Sequence, residues 1–135
     1  MTADQVRLVR SSFERLDSKP EEFALAFYAR LFAIDPSLRP LFGPDLRDQA
    51  RKLASMLALA VRVLDDPDTL APVVQQLGRR HTGYGVAAGH YHTVGAALIW
   101  TLQQQLGTGF TSDVRDAWLA AFGALAGMMQ TAAAA

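Results

Sequence analysis

Residues 27–61 read FYARLFAIDPSLRPLFGPDLRDQARKLASMLALAV, and the spacing of their apolar positions decides the fold class. Phe27 and Leu31 continue a helical step that begins at Phe23. Tyr28 and Phe32 stand beside them, so this helix has a broad, aromatic inner side. Asp35-Pro36 then starts a short segment that Pro40 is expected to interrupt. Leu41 and Phe42 follow, and Gly43-Pro44 closes the segment. A longer helix is expected from about Asp45 to Leu64, with Leu46, Gln49, Leu53, Met56, Leu57, Ala60 and Leu64 along one stripe.

The same period continues outward in both directions. Towards the N-terminus, Ser18 with Glu21 opens the aromatic helix, and Pro20 falls in its first turn, where proline is tolerated. Before it, Thr2 with Gln5 reads as a capping box ahead of Val6, Val9, Phe13 and Leu16 on one face. Towards the C-terminus, Asp65-Asp66-Pro67 stops the long helix and caps the next. That helix carries Leu70, Val74, Leu77 and His81 before Gly83 and Gly85. A further helix begins near Ala88 with Tyr91, Val94, Leu98, Leu102 and Leu106. The last starts at Thr111 or Ser112 and runs Val114, Trp118, Phe122, Leu125 and Met129, leaving an alanine tail expected to fray. No segment alternates with period two long enough to make a strand. The reading is all-α, about seven helices in one domain over residues 1–135, without repeats or linkers.

Composition narrows the function classes. The chain has 135 residues, half of them hydrophobic, with 13 basic and 13 acidic side chains balancing to zero. Surface scaling predicts about 6,900 Å² exposed when folded against about 21,000 Å² unfolded, enough burial for a core with room for a guest. Nucleic-acid binders carry a basic excess, and none is present. The absence of cysteine excludes disulfides, thiolate metal sites and cysteine nucleophiles. The charged N-terminal stretch is no secretory signal, and the longest apolar run, Leu53 to Val61, is far short of a membrane span of about 20 residues. The expected location is the cytoplasm. The length leaves no space for a second catalytic domain such as a reductase.

Polar residues on the apolar stripes are the candidates for function. His81 continues the face of Leu77 in the last turn before Gly83. Two readings stand: a histidine favoured by the helix dipole at a C-terminus, or an inward-facing axial metal ligand. Zinc needs three or four protein ligands. His90 and His92 face different sides of the next helix and do not supply them. Haem iron needs only one such ligand, since the porphyrin fills its equatorial plane. Gln49 is either a wetted residue at the start of its stripe or an amide donor inside a pocket. Tyr28 is either a core tyrosine with a local backbone partner or a second donor aimed at the same polar atom. Phe42 and Tyr91 read as core aromatics by spacing alone.

The segments FYARLFAIDPSLRPLF (27–42), DQARKLASMLALAV (48–61), LGRRHTGYGVAAGHYHTVG (77–95) and LGTGFTSDVRDAW (106–118) together resemble single-domain bacterial globins related to the globin domain of flavohaemoglobins, most of all the Hell's Gate type. The resemblance covers nearly the whole chain. It rests on the order tyrosine, aromatic after proline, glutamine, then histidine 32 residues after that glutamine. It implies a globin fold around a haem pocket and haem b as cofactor. His81 matches the proximal histidine that binds the iron. Phe42 matches the aromatic packed on the haem. Tyr28 and Gln49 match the distal pair that hydrogen-bonds a gas ligand. Leu53 matches the apolar residue one turn past the glutamine, and Tyr91 matches the proximal tyrosine.

One departure stands out. The glutamate that joins the proximal tyrosine and histidine in those globins falls at Ala133, and no glutamate follows Glu22. The relay that would raise histidine basicity is therefore not built from such a carboxylate. The implied function is reversible binding of O₂ and other diatomic gases at a five-coordinate haem iron, with high O₂ affinity. A second expectation is oxidation of nitric oxide using an external reductase, and a third is a gas-sensing module.

Overall fold

The computed structural model describes residues 2–16, 20–66, 68–72, 74 and 88–134. All regular structure among them is helical: α1 (Ala3–Leu16), α2 (Pro20–Ile34), a 3₁₀ helix (Pro36–Phe42), α3 (Leu46–Arg62), α4 (Ala88–Leu106), a 3₁₀ turn (Gly107–Gly109) and α5 (Ser112–Ala134). Residues 68–72 are helical as well. Ser18, Leu77, His81, Gly83, Gly85 and the side chain of Met129 lie outside the described residues.

Local chemistry starts the helices where the sequence places them. Thr2 N–H donates to Gln5 Oε1 (2.9 Å) and Gln5 N–H to Thr2 Oγ1 (3.1 Å), the reciprocal bonds of a capping box. Asp45 accepts from Asp48 N–H (3.0 Å) ahead of α3. Asp66 accepts from Thr69 N–H (3.3 Å) and Thr69 Oγ1 (2.7 Å) at the next helical turn. Thr111 Oγ1 accepts from Val114 N–H (3.2 Å) ahead of α5.

One detail differs from expectation. Pro40 does not interrupt its segment, because the 3₁₀ helix runs through it from Pro36 to Phe42. Proline's fixed φ of about −65° matches 3₁₀ backbone, and only one i→i−3 bond is forfeited. The segment ends at Gly43, whose φ of 72° suits a residue without Cβ. The alanine tail is helical as far as Ala134, as the strongest helix former would be.

α1 packs against α5, while α2 lies between α3 and α4. The stripe Val6, Val9, Phe13 and Leu16 is fully buried, together with Leu70, Val74, Leu102, Val114 and Trp118, in one apolar cluster. Trp118 Nε1 donates to Ser12 Oγ (2.8 Å), and that hydroxyl donates to the Leu8 carbonyl (2.7 Å), so the polar atoms in this core are satisfied. Arg10 reaches from α1 to the end of α3. Its Nε donates to the Val61 carbonyl (3.1 Å), and its Nη2 to the Arg62 carbonyl (2.7 Å) and to Asp65 (2.6 Å). A cation thus covers carbonyls that the helix end leaves unpaired. α4 and α5 approach closely at Gly95, where a Cβ would stand 2.9 Å from the ring of Phe122.

The second cluster gathers Ala24, Phe27, Tyr28, Leu31, Leu38, Ala50 and Ala97, with Phe32, Phe42, Leu53, Val94 and Leu98 packed on it. It sits between α2, the 3₁₀ helix, α3 and α4.

Candidate functional site

Tyr28 is the polar centre of this second cluster. α2 carries it inward, and its side chain is 4% exposed. The hydroxyl donates to the backbone carbonyl of Gln49 across to α3, at 3.2 Å. Burial pushes the phenol from 10.0 up to about 12, so it is a protonated donor throughout the physiological range.

Aromatic rings enclose it. Phe32, one turn on, is stacked at 6.1 Å with planes 10° apart. Phe42, from the end of the 3₁₀ helix, lies at 5.2 Å and is tilted. Phe32 and Phe42 meet edge-on at 5.3 Å. The guanidinium of Arg39 lies over the outer side of Phe32 at 5.7 Å, and its Nη1 donates to the Gly43 carbonyl at 2.6 Å.

α3 contributes the opposite wall. Gln49 is half-buried, and its carboxamide has no hydrogen-bond partner among the described residues. Leu53, one turn further, packs on the cluster and also borders a small apolar void of about 10 Å³ with Phe13, Phe23 and Leu57. Only Ala50 and Val61 of α3 are fully buried. Leu46, Met56, Leu57 and Ala60 of the apolar stripe stay half-covered, unlike the stripe of α1.

Tyr28, Gln49, Phe42 and Leu53 are therefore brought together. Tyr91 is not part of their cluster. It is buried on α4, and burial raises its phenol above the ordinary value. Val94 and Leu98, on the same helix, do reach the cluster. His81 lies outside the described residues. No group of three or more metal-ligating side chains occurs among the described residues. Phe32 stood on the aromatic inner side of its helix but not among the candidate site residues, and its meeting with Phe42 depends on how the 3₁₀ helix folds back.

A helical fold in which α2 packs on α3 around a buried tyrosine, beside a half-buried glutamine, is consistent with a globin. Residues 25–129 match the Globin family model, and the chain belongs to that family.

Among relatives, it is 35% identical over 133 residues to a flavohemoprotein of Bordetella parapertussis, covering 96% of this chain and 33% of that protein. It is 34% identical over 133 residues to a flavohemoprotein of Deinococcus radiodurans, with the same coverage. The chain spans about a third of the length of these relatives. Among solved structures, it matches an engineered carbene transferase derived from a proposed nitric oxide dioxygenase of Rhodothermus marinus. That match has a TM-score of 0.90 and 29% identity, and covers 99% of this chain and 94% of that one. A hexacoordinated heme protein from a tardigrade shares the fold at a TM-score of 0.89 and 16% identity, covering 100% and 96% of the two chains.

Proposed function

We propose that this chain is a haem b-binding globin that takes up O₂ and other diatomic gases reversibly, acting as one domain in the cytoplasm. The observation that carries this reading is the buried Tyr28 hydroxyl held against α3 at Gln49, inside an aromatic cluster of a globin fold. The half-covered Leu46 and Leu53 of α3, on the same cluster as Phe42, have the character needed to take one face of a flat apolar macrocycle. The carboxamide of Gln49, without a partner among the described residues, supplies a donor beside it.

When bound, haem supplies an iron able to take a diatomic gas. His81 would hold that iron through an imidazole nitrogen, Tyr91 would stand on the same side, and Phe42 would pack on the macrocycle. Leu53 excludes water from the gas side. Tyr28 and Gln49 would donate hydrogen bonds to the gas, in surroundings where few competing waters reach. Tyr28 has one proton to give. Turning it towards the gas releases the Gln49 carbonyl, which keeps its helical bond from the Leu53 amide.

A neutral hydrogen bond contributes about 1 kcal/mol net, so each donor slows gas loss several-fold. Tyr28→Phe and Gln49→Ala are each expected to release O₂ several-fold faster in stopped-flow measurements. Unchanged rates in both would contradict the reading.

The similarity to flavohemoproteins and to the Rhodothermus marinus structure favours a second activity, nitric oxide oxidation. It requires electrons from a reductase. Sustained NO consumption with a generic reductase supports it, and conversion that stops after one equivalent opposes it.

A further inference from the structure

We infer that Phe32 is a positioning residue that sets where the Tyr28 hydroxyl points, and thereby how the site discriminates among gases. The inference rests on the proposed gas-binding role of Tyr28.

The phenol reaches its partners by rotation of its side chain, so whatever packs on the ring face limits that rotation. Phe32 provides the near-parallel contact, with planes 10° apart, whereas Phe27 and Phe42 meet the ring at 50° and 59°. Tilting the phenol would break this parallel arrangement, which is one of the two geometries that aromatic pairs favour. Phe32 also braces Phe42 edge-on, at 5.3 Å. The three rings form a closed triangle in which each touches the other two.

Phe32 is itself held from outside. Arg39 lies over it, and Arg39 is tied to the Gly43 carbonyl at the turn that ends the 3₁₀ helix. The orientation of Tyr28 is thus connected, through packed groups, to the joint between the 3₁₀ helix and α3. Phe32 has no hydrogen-bonding atom of its own. Its influence on a hydrogen bond to the gas passes through Tyr28, and it should be felt by ligands that accept a hydrogen bond strongly, such as O₂, more than by weak acceptors such as CO.

The test uses the full chain reconstituted with haem. O₂ and CO dissociation rates are measured for wild type, Phe32→Leu, Tyr28→Phe and the double variant. The expected result is several-fold faster O₂ release in Phe32→Leu, little change for CO, and no further effect of Phe32→Leu once Tyr28 is Phe. Phe32→Tyr, which keeps the stack, should retain the wild-type O₂ rate. If Phe32→Leu does not hold haem, Phe32→Met removes the ring at similar volume and is read by the same criteria. Unchanged O₂ release, equal acceleration of O₂ and CO, or an effect of the same size in the Tyr28→Phe background overturns the inference. Fast release in Tyr28→Phe with wild-type release in Phe32→Leu removes only the role of Phe32. Wild-type release in Tyr28→Phe removes the donor role of Tyr28 on which the inference rests.

Discussion

A buried phenol with a single proton to donate is the smallest unit of this site. Tyr28 is kept neutral by burial, which moves its pKa from 10.0 to about 12. In the unfolded chain the proton leaves near pH 10. The folded state therefore binds more protons between those values, and its stability falls as pH rises through them. The contribution is fully present below pH 10 and lost by about pH 12. Urea midpoints from pH 9 upward should decline less steeply in Tyr28→Phe than in wild type. Identical slopes would mean that the phenol is not held in dry surroundings. Of the two readings of Tyr28, the resting structure shows the backbone partner, although that partner is not local: the Gln49 carbonyl stands on another helix, 21 residues on. The contact of Phe32 with Phe42 was hidden for a related reason, since Phe42 comes from a segment whose path the prolines obscured.

At the scale of the helix, two contacts carry predictions. Gly95 lets α4 meet Phe122 of α5, where an added Cβ would lie at 2.9 Å. Gly95→Ala should gain about 1 kcal/mol of helix propensity but lose about 1–3 kcal/mol to overpacking. The expected outcome is a lowered Tm, restored when Phe122→Leu is added; a raised Tm in the single variant would show that the helices can separate freely.

Arg10 covers the last carbonyls of α3 and lowers the pKa of Asp65 through their hydrogen bond. Arg10→Met, which keeps the stem, should cost about 1–2 kcal/mol in urea unfolding near neutral pH. Part of that loss should vanish as pH falls and Asp65 protonates. Helix starts were legible from local signals: the Thr2–Gln5 box, the aspartates before α3 and residue 69, and Thr111. Contacts such as Arg10 with Val61 or Trp118 with Ser12 were not, because they join residues far apart in sequence. Pro40 misled because the rule against proline applies to α-helices, while this segment is 3₁₀.

For the molecule as a whole, the balance of 13 basic and 13 acidic side chains gives no field to draw in a charged partner. No helix among the described residues is long and apolar enough to cross a membrane. The all-α fold was readable because every long segment kept one helical period. The division into two apolar clusters was not, since the half-covered stripe of α3 reads like any core face until its neighbours are placed. That stripe, Tyr28 and Gln49 lead to the central claim that the chain holds haem through His81. The most direct measurement is the absorption spectrum of the full chain reconstituted with haem, in ferric, ferrous and O₂-exposed states, beside His81→Ala. The account predicts an intense Soret band that shifts on reduction, shifts again reversibly with O₂, and loses its liganded form in His81→Ala. A wild-type chain without a Soret band, or a His81→Ala spectrum identical to wild type, would contradict it.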